Sequence, residues 1–256
     1  MPEARPYWPV HVINMAGAEA RMKAAAAALD SEGIAFSRFN AVDGRALPPE
    51  ERARIHDAAA SRRRFRYPLL GGELGCYLSH IGVWRELLAG DAPGAVVLED
   101  DFTCARPLRP VIEALARDGG GWDMVKLYTR RPGARMLNRR PLCEGAELAM
   151  PYQIPNTTLG YVIRREAAAR LLARALPISR PVDEDHKRFW EHGLAIWQVL
   201  PPPLLPGPEA ASPGSIAQSR RQARAAPLRQ GLRNLRYRAG YLAALHWHRL
   251  TGGGGR

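Results

Sequence analysis

Cysteine, lysine and long apolar runs are all scarce in this 256-residue chain. The three cysteines, Cys76, Cys104 and Cys143, are an odd number with no CxxC spacing, which argues against a disulfide framework and a structural zinc site and fits a reducing compartment. No uninterrupted apolar stretch approaches the roughly 18 to 20 residues needed to cross a bilayer. The opening segment MPEARPYWPVHVIN has no apolar run ahead of a small-residue cleavage site. A soluble, unexported, cytoplasmic chain is therefore expected. Only three of the 37 basic residues are lysine, and an arginine bias of this kind makes total charge a poor pointer to nucleic acid. What is present is a 46% hydrophobic, 24% charged composition, enough to build a core and to exclude disorder as the main state.

The net charge of +12 is unevenly placed, with nine arginines against one acid in residues 207–256. Ahead of that tail, periodicity predicts alternating strands and helices. Strands are expected at 10–14, 36–41, 95–98, 124–128, 159–163 and 195–199. Helices are expected at 18–31, from 48 onward, and at 73–88, 108–117, 165–175 and 184–192. Arg62–Arg66 reads as a polar break and residues 130–156 as an excursion or loop over the site. Pro201-Pro202-Pro203 ends the core, and Gly207–Ser219 has linker composition. The alternation predicts an α/β fold with a mostly parallel central sheet flanked by helices, and a ligand site at the carboxyl ends of its strands. Residues 1–206 are expected to form the catalytic domain and 207–256 a linker with a basic amphipathic segment.

Val96-Val97-Leu98 runs directly into Glu99-Asp100-Asp101. Three carboxylates after an apolar strand must be solvated or must neutralise something, and hard oxygens suit Mg²⁺ or Mn²⁺. A solvated loop or a helix cap by Asp101 is the plainer alternative. Upstream stand Val12-Ile13-Asn14 with Glu19 and Arg21, then Ala41-Val42-Asp43-Gly44, then Gly72-Glu73-Leu74-Gly75-Cys76-Tyr77-Leu78-Ser79-His80. Downstream are Gly160-Tyr161-Val162-Ile163, Leu176-Pro177-Ile178 and Pro181-Val182-Asp183. In order and spacing these segments resemble glycosyltransferase family 25, the lipooligosaccharide and collagen galactosyltransferase group, over about residues 10–205. Met15 departs from the family's usual leucine, a conservative change.

The resemblance implies a GT-A-like nucleotide-diphospho-sugar transferase fold. It further implies metal-dependent, inverting transfer of a hexose, most often galactose, from a UDP-sugar to a glycan or glycolipid hydroxyl, as in lipopolysaccharide assembly. It assigns Mn²⁺ or Mg²⁺ to Asp101, with Glu99 as a second ligand or a ribose contact and Asp100 serving either way. Asn14, Arg21, Asp43, Gly75, Ser79 and His80 become candidate donor-binding residues. Asp183, then Asp185, are the candidate general bases, since inversion requires a carboxylate to take the acceptor proton. Each has a structural alternative: a solvated Arg21, an ordinary Asp-Gly turn at Asp43, a packed His80, and an acidic helix start at 183–185. Trp84 reads as core packing and Cys76 as a small buried residue rather than a nucleophile.

In the tail, Leu228, Leu232, Leu235, Leu242 and Leu245 follow helical spacing beside Arg229, Arg233 and Arg236, with Tyr241 and Trp247 as interfacial aromatics. Such a helix would lie on an anionic membrane surface, on the inner face of the cytoplasmic membrane, or pack on the catalytic domain. Nucleic acid is not an expected partner, because no recognition motif accompanies the charge. Two other functional classes are alternatives: an inactive, transferase-like basic binding module for acidic glycolipid or nucleic acid, against which the intact GELGCYLSH and EDD segments count, and a two-carboxylate glycoside hydrolase, which the nucleotide-sugar motif disfavours.

Overall fold

The computed structural model describes residues 7–65, 69–208 and 227–251. An eight-stranded sheet carries the fold. Its strands are β1 (Val10–Asn14), β2 (Ser37–Asn40), β3 (Gly94–Glu99), β5 (Met124–Lys126), β6 (Met136–Cys143), β7 (Ala146–Pro151), β8 (Gly160–Arg164) and β9 (Ile196–Leu200). They lie side by side in the order β2-β1-β3-β8-β5-β9-β7-β6. A two-stranded ribbon pairs β4 (Phe102–Cys104) with β10 (Leu204–Pro206). The helices are α1 (Glu19–Asp30), α2 (Pro49–Ile55), α3 (Ala58–Arg64), α4 (Gly71–Ala89), α5 (Arg109–Arg117), α6 (Arg165–Leu172), α7 (Val182–His186), α8 (Phe189–His192) and α9 (Pro227–Leu250).

Strand β3 explains the layering. Its residues alternate between the two faces of the sheet: Ala95 and Val97 join one apolar cluster with Trp84 and Leu171, while Val96 and Leu98 join another with Leu29 and Ile112. A strand apolar on both sides must be covered on both sides, and α4 and α6 cover one face while α1 and α5 cover the other. Strand β1 pairs in parallel with β2 and β3, and β5 in parallel with β9. The antiparallel strand β8 joins the two groups. Strands β1, β3, β5 and β9 consequently run the same way, and their carboxyl ends, with the amino end of β8, share one edge. This mixed α/β sandwich is the GT-A-like layout expected from the motifs.

Three local expectations are corrected. Residues 130–156 are not an unstructured excursion, because β6 and β7 form an antiparallel hairpin turned at Gly145, whose φ of 70° suits glycine. Pro141 is accommodated because β6 is the sheet's edge strand. The Arg62–Arg66 break lies mostly inside α3, whose N-cap Asp57 accepts a hydrogen bond from Ala60 N at 2.7 Å. The core also continues past Pro201-Pro202-Pro203 into β10.

The α9 residues are not split as a single leucine stripe. Tyr241 and Leu245 are buried in the core, His248 stacks on Trp190 at 5.2 Å, and the Arg249 guanidinium lies 4.1 Å over Phe189 while donating to the carbonyls of Pro151 and Tyr152. Leu235, Leu242, Trp247 and Leu250 are exposed. The side chains of Leu228, Arg229, Leu232 and Arg233, and the 209–226 part of the linker, lie outside the described residues. Among the described residues, no helix is long and apolar enough to cross a membrane.

Candidate active site

The carboxyl edge of the sheet gathers Asn14 from β1, Glu99-Asp100-Asp101 from β3, Lys126 from β5 and Thr157-Thr158 ahead of β8. Asp100 is held by β1 and α1: its Oδ2 accepts from Asn14 Nδ2 at 2.6 Å, and Arg21 Nη1 lies 3.2 Å from its Oδ1. Burial raises the Asp100 pKa, with Asn14 and Arg21 opposing the rise. Glu99 accepts from the Thr158 hydroxyl and faces His80 and Cys76. Burial would raise its pKa, but His80, Thr158 and the Lys126 charge together hold it below the usual range. Asp101 has weaker support, from the Arg21 charge and a backbone hydrogen bond. Its Oδ1 is buried with no hydrogen-bond partner among the described residues, and burial, then repulsion from Glu99 and Asp100, pushes its pKa up to about 7. A desolvated carboxylate oxygen beside two other acids is a site of negative potential that favours a hard divalent cation.

Lys126, which sequence reasoning missed, is fully buried at the end of β5. Its Nζ donates to the Thr157 carbonyl at 2.9 Å and meets His186 Nδ1 at 2.8 Å. Burial lowers its pKa to about 7, with Asp183 and Glu99 pulling it upward. One cation thus feels both the first acidic motif and the second. The signal available was a lysine at the carboxyl end of an apolar strand in a chain with only three lysines.

The two candidate bases separate. Asp183 is half-buried at the start of α7, its Oδ1 accepting from Glu184 N at 2.9 Å. Asp185 is sealed inside: Arg180 Nε is 2.8 Å from its Oδ1, the Tyr77 hydroxyl donates to its Oδ2, and His192 Nε2 lies 3.6 Å from the same oxygen. Burial would raise the Asp185 pKa, yet His192, Arg180 and Tyr77 outweigh it and keep the group ionised. Asp185, the second of the two candidate bases, thus has its oxygens committed to a buried ion pair, whereas Asp183 does not.

The other candidate donor-binding residues lie on α4 and the 42–44 turn. Gly75 lets α4 touch the 42–44 turn, since a Cβ there would meet Val42 O at 2.3 Å and Gly44 N at 2.5 Å. Ser79 is fully buried, donating to Gly75 O at 2.7 Å and accepting from Val42 N at 2.9 Å, so its hydroxyl is committed inside the protein. Asp43 is clasped by Arg45 at 2.8 and 3.1 Å, whose hydrogen bonds lower its pKa on the surface. His80 is fully buried, with Nδ1 2.8 Å from the Tyr161 hydroxyl, and Trp84 Nε1 donates to that hydroxyl at 3.0 Å. Trp84 is core, as expected. Cys76 is half-buried and not isolated, since His80 follows one helical turn later.

Comparison with known proteins gives a consistent picture. Residues 8–185 match the profile of glycosyltransferase family 25 (LPS biosynthesis protein). A glycosyltransferase 25 family member of Anopheles gambiae is 28% identical over 237 residues, covering 82% of this chain and 38% of its own length. Procollagen galactosyltransferase 1 of Danio rerio is 29% identical, covering 68% of this chain and 30% of its own. A human relative named inactive glycosyltransferase 25 family member 3 is 28% identical, covering 55% and 26%. The chain therefore spans less than half the length of these curated relatives.

Proposed function

The chain belongs to glycosyltransferase family 25, and from that premise we propose that it moves a hexose, galactose first among candidates, from a UDP-sugar to a hydroxyl of a glycan acceptor with inversion. The acceptor class that fits is a surface glycolipid of the lipooligosaccharide or lipopolysaccharide kind. The observation that carries this reading is Asp101, a crowded carboxylate with an unpartnered buried oxygen at the carboxyl edge of the sheet. Asp101, with Glu99 beside it, would hold Mn²⁺ or Mg²⁺. A divalent ion there offsets the charge that develops on the departing diphosphate.

The chain's own groups do the rest. Asn14 and Arg21 fix Asp100, and Arg21, one-third exposed, is available to a phosphate oxygen. Asp43 and the 42–44 turn, braced by Gly75 and Ser79, border the nucleoside. Lys126 supplies positive charge between Glu99 and Asp183. The acceptor oxygen bonds to the anomeric carbon as the bond to the diphosphate oxygen breaks, and Asp183 takes the acceptor's proton. Residues 1–206 form the catalytic unit in this reading, and the basic segment from 207 attaches it to the inner face of the cytoplasmic membrane.

The test is UDP release from a panel of UDP-sugars with and without manganese. We expect turnover only with a divalent cation, and its loss in Asp101→Ala with the fold retained. Full activity in excess EDTA rejects the metal role. No turnover of any donor under any metal favours the alternative of an inactive binding module, the condition stated in the name of the human relative.

A further inference from the structure

Helix α4 carries Cys76 and His80 four residues apart, so both side chains lie on one face. That face meets the end of β3, where Glu99 turns Oε1 toward them. His80 Nε2 is 3.5 Å and Cys76 Sγ 3.9 Å from this oxygen, and all three atoms lie within 4.8 Å of one another. Ligands bound to one zinc ion at 2.0 to 2.3 Å stand about 3.3 to 3.7 Å apart in a tetrahedron. Side-chain adjustment of an ångström or less would close the three atoms around an ion.

A second observation points the same way. His80 is fully buried, and its Nε2 points at Glu99 Oε1, 3.5 Å away, without closing a well-formed hydrogen bond. Its other nitrogen is fixed by the Tyr161 hydroxyl, which Trp84 Nε1 orients in turn. A metal at Nε2 leaves the imidazole proton on Nδ1, which would then donate to the Tyr161 oxygen, the kind of outer contact that steadies metal-binding imidazoles. Cys76 and Glu99 are half-buried, which leaves a path from solvent. A thiolate and a carboxylate balance a dication, while Lys126, the neighbouring cation, is tied to Thr157 O and His186.

We propose that Cys76, His80 and Glu99 form a binding site for one thiophilic divalent cation of the zinc class, leaving a fourth position open to water or a ligand. The mixed sulfur and nitrogen donors disfavour Mg²⁺ and Ca²⁺ and separate this site from the oxygen-rich one at Asp101. Sequence spacing concealed it, because Glu99 lies far from the C-x3-H pair along the chain and no cysteine pair accompanies it. A carboxylate has two oxygens, so service to this site and to a cation at Asp101 are compatible.

The experiment is titration of the chelator-treated full chain with Co²⁺ and then Zn²⁺, read by absorption and by bound-metal stoichiometry. One equivalent of Co²⁺ is expected to bind with a thiolate-to-cobalt charge-transfer band and intense visible bands, any further Co²⁺ at Asp101 adding nothing to the charge-transfer band, and zinc displaces it. Cys76→Ser, nearly isosteric at a half-buried position, loses the charge-transfer band. Tyr161→Phe weakens affinity by roughly 10-fold or more. Asp101→Asn keeps the band, so failure of the transferase reading leaves this result intact. Absence of the band in the parent protein, or its survival in Cys76→Ser with Cys104 or Cys143 as the source, overturns the proposal.

Discussion

At the residue scale, Asp101 and Asp185 show how the same side chain is driven in opposite directions by its neighbours. Asp101 has two acids nearby and a pKa raised to about 7, while Asp185 has Arg180 and Tyr77 and a lowered one. A carboxyl raised in the folded state keeps its proton there while the unfolded chain has lost it. Stability therefore falls as pH climbs from the unfolded value of 3.8 to about 7, with the penalty absent below that window and complete above it. In chelator, urea midpoints of the parent protein and Asp101→Asn should coincide near pH 4 and diverge by pH 8, with the variant more stable. Parallel curves would refute the crowding argument. The acids of α7 divide in the same way. Asp183→Asn should lower kcat by about 10² to 10⁴ with a stability change within about 0.5 kcal/mol. Asp185→Asn removes the charge facing Arg180 Nε, in a guanidinium only 4% exposed, and leaves Glu191 as its carboxylate partner, so it should cost about 1.5 to 3 kcal/mol in urea denaturation. Equal loss of stability in both variants would merge the two roles. The residue types of both acidic motifs were readable from the sequence, but their division of labour was not. It depends on Tyr77, Arg180 and His192, which converge from separate segments, and Lys126 likewise acquires meaning only when β5 is set beside Glu99 and α7.

At the element scale, the close contact of α4 with the 42–44 turn sets how the helix delivers Cys76 and His80 to the sheet edge. Gly75 and Gly44 face each other so tightly that a methyl group at Gly75 would collide with two backbone atoms rather than with movable side-chain tips. Gly75→Ala should thus cost about 1 to 3 kcal/mol, measured by chemical denaturation, and should lower turnover by displacing the helix. A stable, fully active Gly75→Ala would show that the turn can yield. Elements with strong local signals were recoverable from the sequence alone: β1 and β3 are short apolar runs and α4 and α6 longer apolar-rich stretches, each bounded by glycine, proline or charge. The missed ones lacked such signals. Strand β6 has no buried residue, and Asn138, Arg139 and Arg140 follow one another in sequence, so nothing alternates until β7 pairs with it. The amino end of α3 is set by an Asp57 cap, and its arginine-rich last turn reads as loop when charge alone is counted. The β4–β10 ribbon joins segments about a hundred residues apart, a long-range pairing that three-residue strands do not advertise.

At the scale of the whole molecule, α9 divides its apolar residues between the core and the surface. Tyr241 and Leu245, four apart, close over the cluster containing Phe189 and Trp190, while Leu235 and Leu242, seven apart, stand on the exposed side with Trp247 and Leu250. Packing alone accounts for the first pair and leaves the second unexplained. The exposed side also carries Arg236 and Arg238 within a segment holding nine arginines and one acid, and basic residues near an anionic leaflet contribute roughly 1 kcal/mol each. An apolar strip with an exposed tryptophan and basic flanks fits the interfacial region of a membrane. The two sides can therefore be tested separately. Leu245→Ala should cost about 2 to 5 kcal/mol of stability and leave sedimentation with anionic vesicles unchanged at temperatures where it remains folded. Leu242→Ser combined with Trp247→Ser should do the reverse, keeping the denaturation midpoint and weakening vesicle binding, and added salt should weaken what remains by screening the arginines. Vesicle binding that ignores both the double substitution and salt would remove the membrane from the account and leave α9 as a structural brace for the acidic α7 segment, to whose Glu184 the Tyr237 hydroxyl donates.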